Sequence, residues 1–480
     1  MLTELLHLLN GLLGQLLVPL LLIAGVWFTF KLKAIQFFHF AHMFKVMKNS
    51  RVTDGHGISS FQALCTSLAA RVGTGNLMGV AVAISIGGPG AIFWMWLIAL
   101  LGMATAFAES TLAQLYKEQN QQGNYRGGPA YYMLKGLKSP AMALVFSICL
   151  FIGYGIVFST PQAYTIAEAF NYSYGIEPII TGVVLTTLAG IIVMGGMKKI
   201  ASFSEMVVPF MGVAYFLVAL WVILTNLEQI PGVLKDIVFS ALGLQEAGAG
   251  MLGMAMMQGI RRGLYSNEAG LGSVPHAAAA ASPNPPHPVS QGYVQMSGVF
   301  FDTIVLCTCT AMIILLSGIE LGQTFGIQLT QQALENQVGF WGSDFIALAI
   351  FFFGFTSIVA NYAYAENALP FLKMNNKWGR IAFLLIFLSM IFYGSIATLG
   401  EVLGLADLAV ALMTIINVSA IVLMTKTLVT LAKDYNEHID RGEIPHFVAS
   451  PEQEQQMNLT PGIWQRDNPL HNTQASTDRN

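Results

Sequence analysis

The chain has 480 residues, of which 54% are hydrophobic and only 10% charged, with 47 glycines and a mean hydropathy of +0.60. Soluble chains carry about 25% charged residues, so neither a water-soluble multidomain enzyme nor a disordered chain fits. The 23 Lys and Arg are balanced by 26 Asp and Glu, which leaves no basic surplus for a nucleic acid.

In chain order, apolar stretches near or above the ~20 residues that cross a bilayer predict an all-α polytopic membrane protein. Its eleven transmembrane helices fall at 11–30, 59–85, 89–116, 140–168, 177–195, 203–225, 250–281, 291–317, 342–365, 378–395 and 406–431. Open β-structure is not viable in lipid and barrel-type alternation is absent, so the segments are helices. Residues 1–11 contain no basic segment, and no small-residue cleavage site follows, so the first stretch reads as a retained helix and not a signal peptide. Residues 31–48 mix aromatics with Lys33, Gln36, His39, His42, Lys45 and Lys48, which suits an interfacial amphipathic helix or a structured linker. Cys65, Cys149, Cys307 and Cys309 lie in apolar runs and read as small fillers. From about Asn436 the composition is polar and predicts a disordered tail.

Basic residues set the orientation. One set of loops and the C-terminal end hold nineteen of the 23 Lys and Arg, the other set holds Lys235 alone, and Arg71, Arg261 and Arg262 fall inside spans. That bias predicts an outside N-terminus and a cytoplasmic C-terminus, as for a multi-pass protein of a bacterial inner membrane.

Two spans are interrupted. The second carries Arg71-Val72-Gly73-Thr74-Gly75-Asn76, and the seventh carries Arg261-Arg262-Gly263-Leu264-Tyr265-Ser266-Asn267-Glu268-Ala269-Gly270-Leu271-Gly272-Ser273. The breaks are predicted to begin at Gly73 and Gly263, at matching depths of two units of five spans each. Because five is odd, the second unit is inverted. The expected organisation is a first helix and amphipathic segment (1–58), a first repeat (59–225), an extracellular connection (226–249), a second inverted repeat (250–431) and a polar tail (432–480). Broken helices at corresponding positions of inverted halves point to the midplane site of a secondary transporter. Glycine-mediated helix packing accounts for Gly75 and Gly79, but not for Asn76, Asn267 and Glu268.

An unwound turn frees N–H groups at the positive end of the following half-helix, where a carboxylate can bind. It also frees carbonyl oxygens suited to a monovalent cation. With Gly75 and Gly270 allowing close approach, Thr74, Asn76, Ser266 and Asn267 supply neutral partners and Glu268 a charge, a set that suits a zwitterionic amino acid. Glu109 reads as a buried acid paired with a basic residue such as Arg71, with a coupling-proton site as the alternative. Asp302 and Glu366 read as structural, and His276 as a satisfied helix histidine. Ser159, Thr160, Pro161 and Gln162 either face the cavity or mark a kink, and Arg261 and Arg262 are expected to pack against acids. An intramembrane enzyme would need a nucleophile–base pair, a zinc motif or paired aspartates, none of which is present, and a channel would need charge rings and a filter loop.

The run Ala70-Arg71-Val72-Gly73-Thr74-Gly75-Asn76-Leu77-Met78-Gly79-Val80-Ala81 resembles the second helix of the alanine or glycine:cation symporter family. The 261–273 segment with Pro275-His276-Ala277, Gly87-Gly88-Pro89-Gly90 into Trp94-Met95-Trp96, and Arg126-Gly127-Gly128-Pro129-Ala130-Tyr131-Tyr132 are similar too. The resemblance covers about residues 15–430. It implies a leucine-transporter-like fold after one extra helix, and uptake of a small neutral amino acid coupled to Na+ or H+. It calls for no cofactor beyond the coupling ion and no obligate protein partner. It further implies a sodium site formed by Thr356 and Ser357 with carbonyls near Ala70 and Gly73. Where many members have an aromatic-rich run, this chain has Ala360-Asn361-Tyr362-Ala363-Tyr364. Asn361 therefore makes a more polar wall, and alanine, glycine, serine and glutamine all stay open as substrates.

Overall fold

The computed structural model describes residues 2–48, 50–53, 57–120, 122–244, 248–322 and 324–465. Arg466, Arg479 and the remainder of the tail lie outside the described residues.

The chain opens with α1 (Leu2–Lys31), a reversal at Lys33 and Ala34 with φ of 55° and 52°, and two short helices, α2 (Ile35–Phe38) and α3 (Phe40–Lys48). Then come α4 (Ser60–Arg71), a π-helical turn (Gly75–Gly79), α5 (Val80–Gly87) and α6 (Gly90–Leu115). Past a small hairpin, β1 (Glu118–Gln119) with β2 (Tyr125–Arg126), lie α7 (Pro129–Lys135), α8 (Pro140–Ile152), a second π turn (Gly153–Val157) and α9 (Ser159–Tyr174). Next are α10 (Pro178–Val193), α11 (Gly196–Thr225), α12 (Ile230–Ala241), α13 (Gly248–Asn267) and α14 (Val274–Ala280). The third π segment (Phe300–Cys307) joins α15 (Pro288–Val299) to α16 (Thr308–Leu315). The chain ends with α17 (Ile327–Val338), α18 (Trp341–Glu366), α19 (Lys377–Ile396), α20 (Leu399–Leu423), α21 (Thr425–Asp440) and α22 (Pro451–Met457).

Among the described residues eight helices are long and apolar enough to cross a membrane. The bent pair Ser60–Arg71 and Gly75–Gly87, at 51°, makes a ninth, and Pro178–Val193 is apolar but shorter. All eleven predicted segments are largely helical, though the seventh stops at Asn267 and restarts at Val274. The outer helices expose large side chains to their surroundings: Ile191 63%, Phe210 72%, Trp221 61% and Leu385 63%. Water would not tolerate so continuous an apolar surface, whereas lipid tails do.

At the centre is α6, whose residues from Gly102 to Leu115 are all buried. Small residues bring its neighbours close. A Cβ at Gly263 of α13 would sit 2.7 Å from Ile98 Cγ2, and one at Gly292 of α15 would strike Thr111.

Two expectations are corrected. The seventh span is unbroken through Gly263, since α13 continues to Asn267, and the interruption occupies 268–273. Gly263 serves packing against α6, and the backbone instead unwinds where left-handed φ occurs, at Glu268, Gly270 and Gly272. The tail is ordered through residue 465. Ser450 and Gln453 form a capping box on α22, Phe447 N–H donates to Pro286 O at 3.0 Å, and fully buried Trp464 donates Nε1–H to Leu115 O at 3.1 Å. Composition predicts whether a segment folds alone, and here a few apolar residues dock on a surface that already exists. The connections at 226–249 and 318–341 carry α12 and α17.

Candidate transport site at two broken helices

Ser59 caps α4 with a reciprocal Gln62 box, and α4 ends at Arg71, where Val72 turns extended (φ −76°, ψ 94°). On the other side, Glu268 is held at φ 55° and Gly270 and Gly272 at 87°, before α14 restarts with Pro275 in its first turn. Glycine adopts that region freely, but a glutamate does not, and such strain accompanies function more often than packing. The two breaks touch: a Cβ at Gly75 would lie 2.9 Å from Ser266 Cα.

Asp302, fully buried in the third π segment, joins them. Asn76 Nδ2 donates to Asp302 Oδ1 at 2.8 Å, and the hydroxyls of Ser266 and Thr303 each donate to Oδ2 at 2.7 Å. The oxygen of the Asn76 amide accepts the Gly73 N–H at 3.1 Å, so one asparagine spans the first break and reaches Asp302. Thr74 N–H donates to Gln162 Oε1 at 3.0 Å, and Thr74 Oγ1 lies 3.3 Å from Tyr265 Oη.

The second break hangs on Glu109. Gly270 N–H donates to its Oε1 at 3.1 Å, and Asn417 Nδ2 donates to Oε2 at 2.8 Å and to Gly270 O at 2.9 Å. Tyr132 in turn donates to Asn417 Oδ1. The predicted partner of Glu109 was a basic residue. Among the described residues it has no ion pair, and backbone and amide donors satisfy it instead. Arg71 is buried and donates Nη1–H to Gln295 O at 3.3 Å, while its Nε and Nη2 have no hydrogen-bond partner. Glu268 accepts Ser273 Oγ–H at 2.7 Å. Asn267 accepts Ala269 N–H at 3.0 Å, and its buried Nδ2 is left unpartnered.

Between the breaks is a cavity of about 10 Å3, room for about one water. Ala70, Arg71, Gly75, Gln162, Glu268 and Asn361 are among its walls, closed by Phe158 and Tyr265. Larger cavities flank it. One of about 490 Å3 opens among Arg126, His276, Ala363, Glu366 and Arg380, on the face that carries most basic residues. Another, of about 260 Å3, lies among Tyr164, Glu168, Gly326 and Gln328. Helix α18 lines the central and basic-face cavities through Asn361 and Ala363, and α9 lines the central and opposite ones through Gln162 and Tyr164.

Beside the first break, Ser357 Oγ lies 2.8 Å from Ala69 O, 3.4 Å from Val72 O and 2.9 Å from Phe353 O of its own helix. The carbonyls that face it are thus those of Ala69 and Val72, one residue before Ala70 and Gly73. Gly73 leaves the space, since a Cβ there would lie 2.5 Å from Ser357 Oγ. The Thr356 hydroxyl bonds back to Phe353 O at 2.9 Å. Three oxygens of different residues around one hydroxyl form a hard-donor cluster suited to a small monovalent cation.

The structure therefore gathers Thr74, Gly75, Asn76, Ser266, Glu268 and Asn361 at the junction of the breaks, with Ser357 adjoining and Gly270 one step removed on Glu109, whereas the Asn267 amide oxygen lies toward Gly102 of α6. Sequence reasoning missed the reach of Asp302, Tyr265 and Asn417. The polar residue in an otherwise apolar span was the available signal for Asp302. Arg262 packs against an acid as expected, with Nη2 2.5 Å from both oxygens of Asp407, whereas Arg261 donates to Asn10 O at 3.0 Å. Glu366 pairs with Arg380 at 2.7 Å. His276 Nδ1 lies 2.9 Å from Gly127 O, but its Nε2 is unpartnered.

The sodium:alanine symporter family model matches residues 1–449. "Probable sodium/glutamine symporter GlnT" of Bacillus subtilis (strain 168) is 45% identical over 442 residues, which are 90% of each chain. "Sodium/alanine symporter AgcS" of Methanococcus maripaludis is 35% identical over 437 residues, 88% of this chain and 95% of that one. A solved Na+-coupled sialic acid symporter in a substrate-bound outward-open state matches 89% of this chain and 86% of its own at 13% identity, with a TM-score of 0.49. With a family match running through both broken helices and nearly every span, this chain belongs to the sodium:alanine symporter family, a family of membrane transporters.

Proposed function

We propose that the protein takes up a small neutral amino acid together with Na+ by alternating access around the junction of the two broken helices. The observation that carries this reading is the convergence of Asn76 and Ser266, one from each break, on the buried carboxylate of Asp302. Once Gly75 and Ser266 part, the substrate would lie among Thr74–Asn76 and Ser266–Glu268, its carboxylate on backbone N–H groups and its ammonium near Glu268, with Asn361 forming the wall. Sodium would bind at Ser357 and Thr356 against the end of α4, near Ala70 and Gly73. Its binding couples to transport only by favouring one state over the other. On this reading the two flanking cavities are the alternate routes, the basic face is cytoplasmic, and the N-terminus lies outside. Residues 59–225 and 250–431 are then two inverted five-helix repeats in an eleven-helix protein of the bacterial inner membrane.

The narrow space between the breaks favours a small substrate. Alanine and glycine suit this best. Polar Asn361 and the sodium/glutamine relative keep serine and glutamine as alternatives. A second coupling reading, with H+ in place of Na+, is favoured by one observation: Glu109, Glu268 and Asp302 are all buried without an ion pair among the described residues.

The deciding experiment is uptake of labelled alanine into proteoliposomes under an inward Na+ gradient, an inward H+ gradient, or neither, with unlabelled glycine, serine and glutamine as competitors. Saturable uptake driven by Na+ alone is expected. Non-saturating flux indifferent to both gradients would replace the symporter by a channel.

A further inference from the structure

A second cavity, of about 620 Å3, opens on the basic face well away from the broken helices. One wall is cationic, built by Lys45 and Lys48 of α3 and by Arg51 just beyond it. All three are exposed, and none has an acid within 4.0 Å among the described residues. Arg51 instead lies 4.8 Å from the centre of the Phe61 ring. The acid that lines the cavity, Glu443, already accepts from Arg441 at 3.0 Å. His42 also lines it, with Nε2 3.2 Å from Tyr435 Oη. The opposite wall is apolar: Ile439, Ile444 and Pro445.

Two further facts set the level at which the cavity lies. Phe30, Phe37 and Phe38, just before α3, are 85%, 54% and 81% exposed. Lys31 lies over the Trp27 ring, 4.6 Å from its centre. Trp27, 42% exposed with a lysine over its ring, marks the boundary between acyl chains and headgroups, and the exposed phenylalanines face the acyl-chain side of it. Lys45 and Lys48 follow Phe38 by seven and ten residues across the break at His39, and so lie within roughly 15–20 Å of it, a reach comparable to the headgroup layer.

We infer that this cavity binds the phosphodiester headgroup of an anionic phospholipid, with the phosphate on Lys45, Lys48 and Arg51 and the glycerol and first methylenes against Ile439, Ile444 and Pro445. Inorganic phosphate would satisfy the cationic wall and leave the apolar one wet, and the volume far exceeds what phosphate needs. The bound lipid would bridge α3 to α21 and to the segment that runs on to Trp464. The inference does not depend on the transported substrate, and its test reads binding and not transport.

The full chain, purified in neutral detergent and stripped of lipid, is titrated with phosphatidylglycerol, phosphatidylcholine and sn-glycerol 3-phosphate, with adducts counted by native mass spectrometry. Phosphatidylglycerol should bind as a discrete adduct, weaken with salt, and lose roughly 100-fold in affinity in the K45Q/K48Q/R51Q variant, at about 1 kcal/mol for each cation. The K45R/K48R/R51K variant, which keeps the charge, should retain binding, and if the neutral variant fails to fold the comparison of phosphatidylglycerol with phosphatidylcholine on the unmodified chain decides. Equal affinity for phosphatidylcholine, or unchanged phosphatidylglycerol binding in the neutral variant, overturns the proposal. Competition by glycerol 3-phosphate at equal concentration would overturn the lipid as the source of the phosphate.

Discussion

Asn76 Nδ2 lies 2.8 Å from Asp302 Oδ1, so a residue of the first broken helix is held by a carboxylate carried on a π-helical segment more than two hundred positions away in the chain. Because Ser266 of the second break bonds the other oxygen, Asp302 couples the two breaks. Asp302→Asn keeps the shape but removes the charge on which three donors converge. A hydrogen bond to a charged group is worth ~1.5–3 kcal/mol. Saturable uptake should fall at least about tenfold, with an unchanged gel-filtration profile showing that the protein still folds. Wild-type uptake in this variant would remove Asp302 from the mechanism.

Ser357 is the hydroxyl of α18 that reaches across to α4, whereas Thr356 bonds only within its own helix. Ser357→Ala should therefore raise the Na+ concentration for half-maximal uptake by about tenfold, the equivalent of ~1.4 kcal/mol. Thr356→Ala should change it by a smaller factor. Equal effects of the two would contradict this geometry.

Asn267 uses its oxygen to hold Ala269 N–H and leaves its buried amide nitrogen free. Asn267→Ala should abolish saturable uptake of labelled amino acid. The lost hydrogen bond from Ala269 N–H should cost about 1 kcal/mol of stability, visible as a small drop in the unfolding midpoint. Unchanged transport would count against its place in the substrate site.

Glu109 accepts from Gly270 and Asn417, with no ion pair among the described residues. In Glu109→Gln one carboxylate oxygen becomes an N–H2 that faces the Asn417 donor. The expected loss is about 2 kcal/mol, through an unmade buried hydrogen bond, seen as a lowered thermal midpoint before any change in Na+ dependence. Asn417→Ala in the same background should add little, since the pair acts as one unit.

Much of this was legible in the sequence, for reasons that can be named. Apolar run length located the helices, and the misplaced Asn76, Asn267 and Glu268 pointed to the two breaks that make the candidate site. The start of the second break was misjudged because Gly263 and Gly270 look alike in sequence; only the sign of φ separates a packing glycine from an unwinding one. The partners of Glu109 were unreadable because Asn417 lies 308 positions away, and nothing local announces it. The order of the tail escaped for a similar reason, since Trp464 is buried by α6, a surface supplied by a distant part of the chain.

The basic face offers a pH test. Burial, then the neighbouring His39 and Lys45, push His42 down to about 4. In the unfolded chain it takes up a proton near 6.5. Stability is therefore fully present above about pH 6.5 and is lost as pH falls toward 4, because the unfolded state alone binds the proton there. The unfolding midpoint should drop across that window, and His42→Gln should flatten the drop. An unaltered slope would assign the acid sensitivity to another group; buried His287, bonded to Asp434 at 3.1 Å, is the next to test.

The contact between Gly75 and Ser266 has one more consequence. Where two main chains meet at van der Waals distance, the narrowest dimension between the breaks is set by peptide units, which no single side-chain change can widen. Evolution or engineering could repaint the far wall, at Asn361 or Phe158, and so alter which cargo is preferred. For anything to pass between the breaks, Gly75 and Ser266 must part, which is a movement of whole helix segments and not of side chains.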